Sequence, residues 1–233
     1  MRGMYAPFFR RLTLPTSTNA DTEVSAIAFD NFARNPNHRI DDYLWEFYNA
    51  LFIVIGQTEP KLQTGIIDLL LCLRKKSVPR TDDWPSSVKG EVWKDLPTFG
   101  WVARDFFNYN THDDLPKDAQ ERIINLNAFL AQLTNMTTSK TNLVPESNDD
   151  DNPEDPFDFS LFGLWAMRDG LEATPPLGCF PVKLAEVWVQ YASDRMKQLC
   201  VERKEFPGKQ GEPGPWWEEK GWTGFNMQRK VEG

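Results

Sequence analysis

The run from Asp41 to Lys76, DDYLWEFYNALFIVIGQTEPKLQTGIIDLLLCLRKK, is the most apolar part of the chain, and the remainder has to cover it. At the helical rotation, Leu44, Phe47, Tyr48, Leu51, Phe52 and Ile55 form one broad face, with Asp42, Glu46 and Asn49 opposite. Gly56 is expected to end this helix in a positive-φ conformation. Thr58 is expected to cap a second helix, with Pro60 in its first turn, where a missing N–H does no harm. That second helix, apolar nearly all round from Ile66 to Leu73, ends at Arg74, Lys75 and Lys76, where cations suit the dipole. The expectation is a central antiparallel hairpin.

A chain of 233 residues, 40% hydrophobic and with nine tryptophans, can bury one substantial core. No strand alternation and no internal repeat is visible. The fold class expected is all-α, a single helical domain of about seven helices between residues 19 and 225, with an irregular arm at 1–18 and a tail at 226–233. Helices are expected over Asn19–Arg34, marked by Val24, Ile27, Ala28 and Phe32, and over Thr98–Asn110, where apolar residues on every side imply burial. Further helices are expected over about Pro116–Met136, Phe157–Ala173 and Pro181–Lys204. Between the second helix and Thr98 runs a long Pro-containing connection that packs through Trp84 and Trp93. The segment 137–156 is polar and acidic, so ordering it would cost entropy without burial, and disorder is expected. An irregular aromatic-rich ending carries Trp216, Trp217, Trp222 and Phe225.

Of the net charge of −8, seven negative charges fall between Glu146 and Asp158. The rest is nearly neutral, which argues against nucleic-acid binding, since that needs a concentrated basic surface. No run of about eighteen uncharged apolar residues exists, so no membrane span is expected. Cys72, Cys179 and Cys200 are far apart and fit reduced thiols in a cytoplasmic protein. The two histidines, His38 and His112, stand in turns, so no multi-histidine metal site can form. Asp41, Asp42 and Glu46 are similar to the acidic magnesium motif of class I terpene synthases, but Asp41 points to the apolar side and Asp42 and Glu46 away from it. A shared metal cluster does not follow, and neither a metal nor a cofactor is expected.

The residues that could carry chemistry are polar groups on apolar faces. Arg168 and Glu172, one helical turn apart, project from the same face as Phe157, Leu161, Leu164, Trp165 and Leu171. Such a pair either ties helices together or borders a cavity, where it would orient a carbonyl-bearing ligand. Asn127 lies at the edge of an inner face, bonding a neighbouring helix end or a ligand. Glu186 flanks the buried face of the last helix near Trp188 and is an acid or base candidate wherever a cavity reaches it. The pocket expected between helices is lined by Asp41, Trp45, Tyr48, Trp101, Trp165 and Trp188.

The motifs WEFYNALFIVIGQT from Trp45, WKDLPTFG from Trp93, LNAFLAQL from Leu126, LWAMRDGLE from Leu164 and AEVWVQYA from Ala185 give the chain a further identity. In order and spacing it resembles a fungal family catalogued as domain of unknown function 3632, over about Ile40 to Phe225. The resemblance implies a helical, intracellular protein of filamentous fungi, of a kind often encoded among secondary-metabolite genes. Two readings follow. One is a cofactor-independent enzyme that cyclises or isomerises an apolar intermediate in an aromatic-lined cavity, with Arg168, Glu172 and Asn127 polarising its oxygens. The other is a non-enzymatic helical module that docks a protein partner through its acidic loop. Whether the chain is an enzyme, and its oligomeric state, are open on sequence alone.

Overall fold

The computed structural model describes residues 5–35, 39–78, 90–108, 113–137, 155–173 and 178–206. His38, His112, Trp84, residues 138–154 of the expected acidic loop and the ending from residue 207 lie outside them. Among the described residues every regular element is a helix: α1 Ala6–Leu12, α2 Asn19–Ala33, α3 Ile40–Gly56, a 3-10 turn Pro60–Leu62, α4 Thr64–Arg74, α5 Phe99–Phe107, α6 Lys117–Asn135, α7 Ser160–Met167, a π turn Arg168–Glu172, and α8 Cys179–Glu202. The fold is all-α. The described residues divide into two compact units, one within Met1–Tyr109 and Glu121–Leu126, the other within Asn110–Gln120 and Asn127–Gly233.

The first unit closes around α3. Its face of Leu44, Phe47, Tyr48, Leu51, Phe52 and Ile55 is buried as the periodicity requires. The Phe47 ring is the hub, with Phe29 at 4.8 Å, Phe9 at 5.3 Å and Trp93 at 5.6 Å between centroids. Such edge-on contacts add to the area they bury. The polar ends of the neighbouring aromatics are satisfied: the Tyr43 hydroxyl donates to the Phe29 carbonyl at 3.0 Å, and the Trp93 indole N–H to Asp30 at 3.0 Å. Trp93 thus anchors the connection that precedes α5.

Four expectations about this unit are corrected. The amino-terminal arm is not irregular, because residues 6–12 form α1, with Pro7 in its first turn and Arg10 and Arg11 in its last. Tyr5, Phe9 and Leu12 recur on one face and enter the core. Seven residues are too few to show a period, and a helix this short stands only by packing. Helix α2 starts at a capping box, in which the Asp21 N–H donates to Thr18 Oγ1 and the Thr18 N–H to Asp21, but the buried face differs from the one expected. Thr22, Ser25, Ala26 and Phe29 face inward and Val24 is 66% exposed. Small residues on that face let α2 lie close to α4, with the Ser25 hydroxyl satisfied by the Asp21 carbonyl at 2.8 Å.

The central hairpin is also replaced, since α4 packs chiefly against α2 rather than back along α3. Gly56 stays helical, and Thr58 Oγ1 donates back to the Val54 carbonyl at 2.7 Å instead of capping α4. The turn is held by Gln63, whose amide donates to the carbonyls of Thr58 at 3.0 Å and Asn125 at 2.9 Å, while Asn125 donates to the Gly56 carbonyl at 3.0 Å. Lastly, α5 is one-sided: Phe99, Val102 and Ala103 are buried, whereas Trp101 is 62% exposed.

If α1 belongs to the core and Val24 to the surface, then Phe9→Ala lowers the stability of the chain by about 3–5 kcal/mol. Val24→Ala leaves it within about 0.5 kcal/mol. Urea unfolding of the two variants measures both, and a neutral Phe9→Ala would return residues 1–18 to an arm.

Candidate functional site

Of the ten residues singled out from the sequence, Asn127, Trp165, Arg168, Glu172, Glu186 and Trp188 fall in the second unit, and Asp41, Trp45, Tyr48 and Trp101 in the first. The second unit is organised by Trp188 on α8. Its indole N–H donates to Asn127 Oδ1 at 2.8 Å, and both residues are buried. The ring lies so close to Gly163 that a β-carbon there would stand 2.8 Å from Trp188 Cε3, so α7 meets α8 backbone to ring. Asn127 therefore bonds a side chain of α8, and this bond positions the tryptophan.

Helix α7 starts where Thr134 Oγ1 accepts the Phe159 N–H at 3.0 Å and Asp158 Oδ1 accepts the Ser160 N–H at 2.9 Å. The α-helix expected over Phe157–Ala173 runs only to Met167 and continues as the wider π turn Arg168–Glu172. This changes which side chains face in. Leu171, expected on the apolar face, is exposed, while Glu172 is only 7% exposed and Arg168 half-buried. Gly170 makes the seating possible, since a β-carbon there would sit 2.6 Å from the Pro181 carbonyl oxygen and 3.0 Å from Ala185 Cβ. Single-turn π segments inside helices recur at functional sites. Beside this turn, Trp165 is half-buried and stacked on Phe162 at 5.4 Å.

Loss of solvent pushes the Glu172 carboxyl up to about 7, and the nearby Arg168 charge, which pulls the other way, offsets this only in part. The carboxyl thus changes charge near neutrality. A buried acid at such a value suits proton transfer, accepting a proton when ionised and returning it when protonated.

The remaining residues are arranged differently. Glu186 is exposed on α8, turned away from the buried cluster. Trp45, like Trp101, is exposed, because each lies on the solvent side of a helix that buries only one face. Asp41 sits in the first turn of α3 with one oxygen 2.8 Å from Arg39 Nη2; burial raises its pKa, but the Arg39 hydrogen bond and charge and the Asp42 N–H outweigh it and leave it below the ordinary carboxylate value. Tyr48 is wholly buried.

Sequence reasoning missed two residues that shape this unit. Arg195, 8% exposed, holds Asp158 at 3.1 Å and Glu202 at 3.4 Å. Its backbone N–H, close to the break in α8 at Ala192, donates to Asn135 Oδ1 at 3.1 Å. Asp113 accepts the N–H groups of Cys179 at 2.9 Å and Phe180 at 2.6 Å, capping α8 from 66 residues away and lowering its own pKa. No local pattern announces either, since Asp158 and Asn135 lie 37 and 60 residues from Arg195, and the N–H groups that Asp113 accepts lie 66 and 67 residues from it. Asn135 also begins the Asn-Met-Thr sequon, and its side chain is engaged inside the unit.

Among the described residues, no group of three or more His, Cys, Asp and Glu is placed to hold a metal, and no helix is long and apolar enough to cross a membrane. Fold and site define an all-α protein whose titratable side chains are set into helix packing. A family model described as protein of unknown function (DUF3632) matches residues 48–229, and the chain belongs to that family. No curated protein and no solved structure matches it significantly.

The raised Glu172 carboxyl makes stability fall as pH rises. Folded Glu172 binds its proton more tightly than the unfolded residue, whose value is 4.5, so the chain is most stable below about pH 4.5 with respect to this group and loses that advantage through pH 7. The loss is at most about 3 kcal/mol. Melting temperatures at pH 5 and pH 8 are expected to draw together in Glu172→Gln, with the variant the more stable of the two proteins at pH 8. An unchanged gap would show that Glu172 titrates as a solvated acid.

Proposed function

We propose that the second unit is a cofactor-independent enzyme site that isomerises or cyclises an apolar, carbonyl-bearing small molecule by proton transfer. The observation that carries this reading is the π turn, which draws Glu172 out of water with Arg168 beside it. Ionised Glu172 removes a proton from carbon next to the carbonyl. Arg168 stabilises the negative charge that develops on the carbonyl oxygen; where the substrate carries a β,γ double bond, the same carboxyl returns the proton to the γ-carbon of the resulting dienolate. Isomerisation is thereby balanced without a redox partner; in cyclisation the enolate carbon forms the new ring bond instead, and the proton goes to the group it attacks. Trp165 and Phe162 supply apolar contact beside the turn, and the Asn127 bond to Trp188 positions the α8 wall on which the turn rests. An apolar intermediate of secondary metabolism fits this chemistry.

The test is comparative metabolite profiling of the source organism carrying Glu172→Gln or Arg168→Gln, with folding of each variant checked by circular dichroism. One compound is expected to disappear and a precursor to accumulate in both. Purified protein is then expected to convert that precursor with kcat/KM rising as pH increases through about 7, because the base must be ionised. Unchanged profiles from folded variants would make the pair structural and favour the non-enzymatic module.

A further inference from the structure

Helix α3 carries a second feature that packing does not explain. Tyr48 is fully buried, its ring lies 5.3 Å from Phe47 and 5.1 Å from Phe99, and its hydroxyl has no hydrogen-bonding partner among the described residues. Burying a hydroxyl unsatisfied costs about 1–3 kcal/mol, and phenylalanine would fill the same space without that cost. Burial also drives the Tyr48 pKa far upward, so the group stays protonated and available as a donor.

A second, independent anomaly stands next to Phe99 in the chain. Thr98, at the start of α5, stands at φ 68° with its hydroxyl oxygen buried and also without a partner, and Leu96, across Pro97, stands at φ 45°. Left-handed backbone at residues other than glycine is strained and tends to mark ligand clamps and active sites. The Phe99 ring that Tyr48 touches is thus preceded in the chain by a strained residue with a second unsatisfied hydroxyl, Thr98, while Phe52 stacks on Phe99 at 5.4 Å.

We infer that Tyr48 and Thr98 form the polar end of a binding site in the first unit for a small aromatic or apolar molecule bearing one carbonyl oxygen. The Tyr48 hydroxyl donates to that oxygen, Thr98 supplies the second donor, and Phe47, Phe52 and Phe99 form the apolar wall. The ligand has to bring an acceptor, because the two unpartnered hydroxyls meet it as donors.

Acetophenone is the minimal probe, and ethylbenzene the control of similar shape without the oxygen. Titration calorimetry of the full chain is expected to show acetophenone binding, weakened about tenfold in Tyr48→Phe and by a smaller factor in Thr98→Val, with ethylbenzene affinity the same in all three proteins. Equal acetophenone affinity in wild type and Tyr48→Phe, or no binding of acetophenone to wild type up to its solubility limit, would overturn the site. A gain in thermal stability for Tyr48→Phe in the absence of probe fits the inference only together with that loss of affinity. Neither variant touches Glu172 or Arg168, so failure here leaves the proton-transfer reading standing, and failure there leaves this one.

Discussion

A core built from aromatic rings on helices carries a requirement that an aliphatic core does not. Each buried indole N–H or phenol hydroxyl needs a partner, and a ring that reaches away from its own helix has to find it on another element. The structure meets the requirement from outside the helix concerned. Tyr43 reaches the Phe29 carbonyl on α2, Trp93 reaches Asp30 on the same helix, and Trp188 reaches Asn127 on α6. Each bond fixes both the rotation of a ring and the approach of two elements, so the polar tips set the register in which the apolar faces meet. Against this pattern the partnerless Tyr48 hydroxyl is the exception, and that contrast gives it meaning.

The same requirement decides how much could be foreseen. Apolar periodicity located α3 and α6, because long helices with one broad inner face repeat their pattern several times; Ile123, Leu126, Leu130 and Leu133 are all buried. It failed on α2, where closeness to α4 is achieved by Thr22, Ser25 and Ala26 and the larger Val24 and Ile27 are left outside. It failed on α1, too short for a period, and on α5, where a hydrophobic count could not say that one side would meet water. Among the site residues, Arg168, Glu172, Asn127 and Trp188 were visible as polar or bulky groups on inward faces. The partner that Asn127 takes was not, because it lies 61 residues away. Nor was the π turn, since its one-residue change of winding leaves no mark in composition.

The second unit contains two buried arrangements of charge, and they differ in how the charge is compensated. Arg195 is held by two carboxylates, Asp158 and Glu202, at the point where α8 breaks, and its own backbone N–H is taken by Asn135. Opposite charges at contact distance compensate the desolvation of the guanidinium; the Asp158 and Asn135 bonds tie α8 to other segments, and the Glu202 bond braces α8 itself. That is how a structural ionic cluster looks.

Glu172 is placed under other conditions. Its loss of solvent outweighs the Arg168 charge, and the carboxyl is left at about 7, neither firmly ionised nor firmly neutral. If stability were the only demand on this position, an apolar residue of similar volume would serve the packing of the π turn on α8 as well and would avoid the desolvation cost. The turn instead has a wider winding, and a glycine at position 170 seated against the Pro181 carbonyl, with the Glu172 carboxyl drawn out of water. An ion pair meant to bind helices gains from a carboxyl held well below its ordinary value. A proton carrier gains from one held near the pH at which it works, and the position of Glu172 favours the second.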